Sequence, residues 1–180
     1  MAELLITPSQ TIGPFFKHGL EWPGGKKLFA DAAPGRHVRV AGVVTDYQGQ
    51  PVPDALIEFW QADAAGQFGA PRQGASAGYG RVPTDGAGRY DIHTVYPGRV
   101  PGSDGRLQAP HILVVLFARG LQRQVATRLY FEDDAANGED PVLALCGARA
   151  GTLIAKRDAA DAYAWNVSLQ GAKETVFFEA

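Results

Sequence analysis

The chain has 180 residues, a length suited to one domain. Hydrophobic residues make up 46%, charged residues 20%, and the formal net charge is −2, so neither a disordered chain nor a basic surface for nucleic acid or anionic lipid is indicated. The opening MAELLITPSQ lacks a secretory signal, no apolar run approaches the roughly 20 residues of a membrane span, and Cys146 is the only cysteine, which together point to a reducing, cytoplasmic setting.

Residues 1–36 lack periodicity, and Pro8, Pro14, Pro23 and Pro34 interrupt every possible helix. The segment reads as an extended arm. Its TPSQTIGPFF stretch (7–16) is too apolar for a free linker, so it is expected to dock on a surface. HVRVAGVVTDY (37–47) predicts a half-buried strand, and ALIEFWQAD (55–63) a second, with Leu56, Glu58 and Trp60 on one face and Ile57, Phe59 and Gln61 on the other. Glycines dominate 64–80. RVPTDGAGRYDIHTVYPG (81–98) predicts a hairpin turning at Asp85-Gly86-Ala87-Gly88. APHILVVLFARG (109–120) and RQVATRLYFED (123–133) predict antiparallel neighbours turning at Gly120. A helical turn is expected near 139–146, and Leu153–Lys156 is left open between strand and helix. AYAWNVSLQ (162–170) and ETVFFEA (174–180) predict two final strands. About eight short strands with regular turns indicate an all-β, antiparallel β-sandwich.

No residue cluster announces chemistry. The histidines His18, His37, His93 and His111 are scattered, and a strand face bearing two ligands would need H-x-H, where His111 is followed by Leu113. His111 therefore reads as a buried or interface histidine. Cys146 and the serines lack a nucleophile's context. Arg119, closing an apolar strand, leaves two readings open: a solvated strand end, or a receptor whose planar guanidinium grips a carboxylate.

Taken in order, TPSQTIGPFF, LIEFWQADAAGQF, GYGRVPTDGAGRYDIHTVYPGRVPG, APHILVVLFARG, TRLYFEDD and YAWNVSLQGAKETVFFEA resemble the intradiol ring-cleavage dioxygenases over nearly the whole chain. The resemblance implies a transthyretin-like sandwich over 37–180, with an N-terminal arm, 1–36, that docks on a partner subunit. It implies cleavage of a catechol between its hydroxyl-bearing carbons by O₂ at a non-haem ferric ion held by two tyrosines and two histidines. The matching positions here are Phe68, Val100, His111 and Leu113. Three of the four lack a donor atom, and one imidazole does not hold a ferric ion against water.

The resemblance therefore implies an iron-free α subunit that binds no metal itself and shares the pocket of an Fe(III)-bearing β subunit. On that basis Thr11, Gly13, Pro14, Phe15 and Arg119 would line the pocket for a catecholic acid such as 3,4-dihydroxybenzoate, and Arg119 would face its carboxylate. The family arm commonly carries tyrosine where Phe15 stands, so a hydroxyl contact is lost or supplied elsewhere. Two alternatives stay open. One is a stand-alone, iron-free β-sandwich that binds or scaffolds. The other is an active single-chain enzyme, against which Phe68, Val100 and Leu113 speak.

Overall fold

Burial of Val38, Val40 and Val44, set among exposed or half-buried neighbours, makes the first apolar stretch a strand, β1 (His37–Thr45). The computed structural model describes residues 7–13, 15–21, 23–69 and 77–179. Further strands are β2 (Leu56–Trp60), β3 (Tyr79–Pro83), β4 (Arg89–Val95), β5 (His111–Phe117), β6 (Val125–Phe131), β7 (Ile154–Ala159), β8 (Ala162–Ala164) and β9 (Val167–Ser168). Hydrogen bonding orders them β3-β2-β5-β6-β7-β8-β1-β4, with β9 on β1. Inward side chains, among them Leu28, Ile57, Phe59, Ile92, Val114 and Leu129, form the main core. A second cluster of Ala109, Tyr130, Leu143 and Leu153 lies on the other face of the β5–β6 pair.

The expected purely antiparallel sandwich gives way to one mixed, nearly closed sheet. β1 pairs in parallel with β8 and with β9, and β6 with β7. A parallel pair needs a crossover of roughly a dozen residues or more. Between β6 and β7 it is built from a 3₁₀ turn (Ala135–Glu139), helix α2 (Pro141–Cys146) and a second 3₁₀ run (Gly147–Leu153). The expected turn near 139–146 is present, but as part of this crossover. The ambiguous stretch after Leu153 becomes β7.

The 81–98 hairpin is also corrected. The turn forms as expected: the Asp85 carboxylate accepts the amides of Ala87 and Arg89, and Gly88 takes φ +69°. Its strands do not pair with each other. β3 pairs with β2 and β4 with β1, so the turn joins the two ends of the strand order.

Residues 25–28 fill the remaining gap. The amides of Arg81 and Gly78 donate to the carbonyls of Gly25 and Leu28, while on the other side Leu28 N–H donates to His93 and His93 N–H to Lys26. Leu28 is fully buried in the main core.

The described arm is not extended throughout, because Phe15–Leu20 forms the short helix α1. The next proline along the sequence, Pro23, falls beyond α1, so none of the six helical residues is a proline. Among the described residues the predicted last strand is likewise absent. Residues 174–179 make one bridge, Ala126 to Phe178, and Val176 and Phe178 pack against the second cluster while Phe177 packs against the main core.

Candidate functional site

β5 separates two groups of candidate residues. His111 opens the strand and Arg119 stands just beyond it, roughly 26 Å away at the usual rise per strand residue.

At the first end, Leu113 lies opposite Trp60 on β2 and Arg128 on β6. Phe68 stacks against Trp60 with ring centroids 5.2 Å apart, and both rings are about half exposed. The Val100 side chain is buried, and its carbonyl accepts the Gln108 amide. Buried His111 places Nδ1 2.8 Å from the Ala109 carbonyl and its ring beside Tyr130. These contacts gather the four positions that sequence singled out at one end of the sheet.

Their chemistry does not fit a ferric ion. Phe68, Val100 and Leu113 present hydrocarbon, and His111 commits one ring nitrogen to a backbone carbonyl. Arg128 adds a positive charge. Its Nη1 donates to Gln108 Oε1 at 3.1 Å and to the Tyr130 hydroxyl at 3.3 Å, and its charge acts on His111. Among the described residues no group of three or more His, Cys, Asp or Glu could hold a metal ion. Arg128 went unnoticed in the sequence, although pairing TRLYF against HILVV in register would have placed it opposite Leu113.

Desolvation holds the His111 imidazole at about 4, below its ordinary 6.5. The Arg128 charge adds to the shift, while the Ala109 hydrogen bond and Asp140 oppose it. Above pH 6.5 the ring is neutral folded and unfolded. As pH falls toward 4 the unfolded chain takes up a proton that the folded chain refuses, which costs about 1.4 kcal/mol of stability per pH unit. Urea titrations across this window are expected to show His111→Gln flattening the acid limb. An unchanged limb would mean that the imidazole is not held neutral.

At the other end, the turn after β5 meets the arm. The Gly120 amide donates to Thr11 Oγ1 at 2.9 Å, and Gly120 adopts φ +87°, a conformation glycine takes without a Cβ penalty. Phe16 of α1 stacks on Phe117 at 5.1 Å. Lys17 Nζ donates to the carbonyls of Pro53 and Thr84, at 3.1 and 2.6 Å, pinning α1 to two loops. A cavity of about 220 Å³ remains between arm and turn, lined by Ile12, Phe16, Phe117, Leu121 and Arg123 among others. Arg119 is exposed and ion-paired through Nε with Asp54, which is largely buried. Thr11 and Arg119 are thus brought to one place. Gly13 borders open space, Phe15 is 82% exposed, and Pro14 lies outside the described residues. Asp54 was missed because it stands in the β1–β2 loop, where nothing local marks it as a partner for Arg119.

A family model described as dioxygenase matches residues 12–171. Over 99% of this chain and the whole of its relative, the sequence is 43% identical to the protocatechuate 3,4-dioxygenase alpha chain of Burkholderia cepacia. The chain belongs to the intradiol dioxygenase family. This dioxygenase chain is also 36% identical, over 60% of its length and 50% of the relative's, to the protocatechuate 3,4-dioxygenase beta chain of the same organism. Among solved structures it is similar to the dioxygenase domain of a dioxygenase–carbohydrate-binding fusion from Streptomyces sp. SirexAA-E, with TM-score 0.65, 29% identity, and coverage of 92% of this chain and 99% of that one. No helix among its described residues is long and apolar enough to cross a membrane.

Proposed function

We propose that this chain is the metal-free α subunit of a protocatechuate 3,4-dioxygenase. With an iron-bearing β subunit it takes part in cleaving 3,4-dihydroxybenzoate with O₂ to 3-carboxy-cis,cis-muconate, a step of aromatic catabolism in the β-ketoadipate pathway. The observation that carries the reading is the hydrocarbon at three of the four ligand positions, Phe68, Val100 and Leu113, with the Arg128 guanidinium beside the fourth. The similarity to both an alpha and a beta chain supports a hetero-oligomer.

In this reading an iron held by the β chain would supply the activation of the catechol toward O₂, and the α chain would contribute no ligand to it. Its residues bind, orient and exclude water. Thr11, Gly13, Pro14 and Phe15 wall the shared pocket. The docked α1 holds that wall in place through Lys17 and the Phe16–Phe117 stack. Arg119 offers a guanidinium to the substrate carboxylate, which would be costly to bury unpaired and whose capture turns the two hydroxyls toward the metal. A stand-alone binding protein would leave Phe15, 82% exposed at the start of the docked helix α1, without a purpose.

The test is to express the chain with and without a β subunit and to measure iron per chain and ring cleavage. Iron and turnover are expected only with the β subunit. Stoichiometric iron and catechol turnover by this chain alone would overturn the reading.

A further inference from the structure

Arg119, the cation assigned above to the substrate carboxylate, is already paired. Its partner is the better fixed of the two. Asp54 keeps 19% of its side-chain surface exposed against 61% for Arg119. Its neighbours in sequence are both tied down: Lys17 bonds the Pro53 carbonyl, while the Ala55 amide donates to Thr84 Oγ1 at 3.0 Å and the Ala55 carbonyl accepts from the Thr84 amide. The backbone that carries the carboxylate is therefore held on both sides, while the guanidinium stands on a longer and more exposed side chain. A ligand carboxylate arriving at Arg119 meets a cation whose charge is partly spent, and a fixed anion beside it.

Resting on the reading above, we propose that Asp54 is a specificity-determining residue: its ion pair with Arg119 tempers the attraction of the shared pocket for anions and so sets the preference for carboxylated over neutral catechols. The pair has a use at both ends of the reaction. Before substrate arrives, it keeps a guanidinium from standing unpaired at a surface that the β subunit desolvates. Ring cleavage then adds two carboxylates to the one the substrate brought. The product trianion is repelled by Asp54 more strongly than the substrate is, and Asp54 is at hand to reclaim Arg119 as the product leaves.

The experiment uses the assembled αβ enzyme and compares kcat/KM for 3,4-dihydroxybenzoate with kcat/KM for catechol, which lacks the carboxylate, together with product inhibition by 3-carboxy-cis,cis-muconate. Asp54→Asn keeps the shape and removes the charge. It is expected to raise the acid-to-catechol ratio by about two- to fivefold, the range of a part-exposed ion pair, and to strengthen product inhibition by at least as much. Asp54→Glu, which keeps the charge, is expected to restore the native ratio. On an Arg119→Ala background Asp54→Asn is expected to have a smaller effect.

An unchanged or lowered ratio in Asp54→Asn, while Arg119→Ala lowers it, would overturn this role of Asp54 and leave the role of Arg119 standing. A ratio that neither variant moves would overturn both. If Asp54→Asn does not assemble, Asp54→Ser and the structure of the native complex with 3,4-dihydroxybenzoate take its place. A ligand carboxylate beyond hydrogen-bond reach of Arg119 would then reject the proposal.

Discussion

Replacing Asp140 by alanine is expected to lower the free energy of unfolding by about 3 kcal/mol, from the loss of a helix cap and the stranding of buried donors. Asp140 is 1% exposed. Its Oδ1 accepts the amides of Val142 and Leu143, both at 2.9 Å, capping α2, and the Tyr130 hydroxyl at 3.3 Å. Its Oδ2 accepts the Ala109 amide at 2.7 Å. Alanine leaves the Ala109 amide and the Tyr130 hydroxyl without this acceptor and unties the crossover from the start of β5. Asparagine is expected to fall between, because one oxygen can cap the helix while its NH₂ faces a donor. Urea unfolding of the chain in its native assembly measures the loss. A change below about 1 kcal/mol, the worth of a cap alone, would show that the network contributes little beyond it.

Arg119→Ala is expected to raise KM for 3,4-dihydroxybenzoate in the αβ enzyme by about tenfold, the lower end of what a charge-assisted hydrogen bond to a carboxylate is worth. The lower end applies because Arg119 is well exposed and shares its charge with Asp54. With kcat and iron content near native, the loss reads as ground-state and transition-state binding removed together. An unaltered KM would take Arg119 out of the pocket and leave its ion pair as its whole role.

Much of the strand content was legible because it rests on local pattern. The alternation of Val38 and Val40, the apolar run after His111 and the turn residues Asp85 to Gly88 each carry their structure within a few positions. What escaped depends on distant partners. Nothing between Asp85 and Gly88 says whether the flanking strands pair with each other or with β2 and β1. The parallel β6–β7 pair became visible only once the crossover carrying α2 was in place. ETVFFEA has the composition of a strand, yet Thr127 Oγ1 and the Ala126 carbonyl take up its backbone singly, without a ladder.

The site was legible in a similar way. Phe68, Val100, His111 and Leu113 could be singled out only through the resemblance, since no local spacing groups them. Asp54 and Arg128 act across strands or loops, and only the register places them beside Arg119 and His111.

The closure made by residues 25–28 bears on how the chain behaves before it is complete. Until that segment is seated, β3 and β4 each present unsatisfied backbone groups along a free margin, which is a template for another molecule's strand. The seat needs the carbonyl of His93 as well as the amides of Gly78 and Arg81, so a nascent polypeptide shorter than about 93 residues has no means of sealing itself. Substitutions that loosen Leu28 from the core should therefore show first as insoluble aggregates during synthesis, ahead of any loss of catalysis in the material that survives.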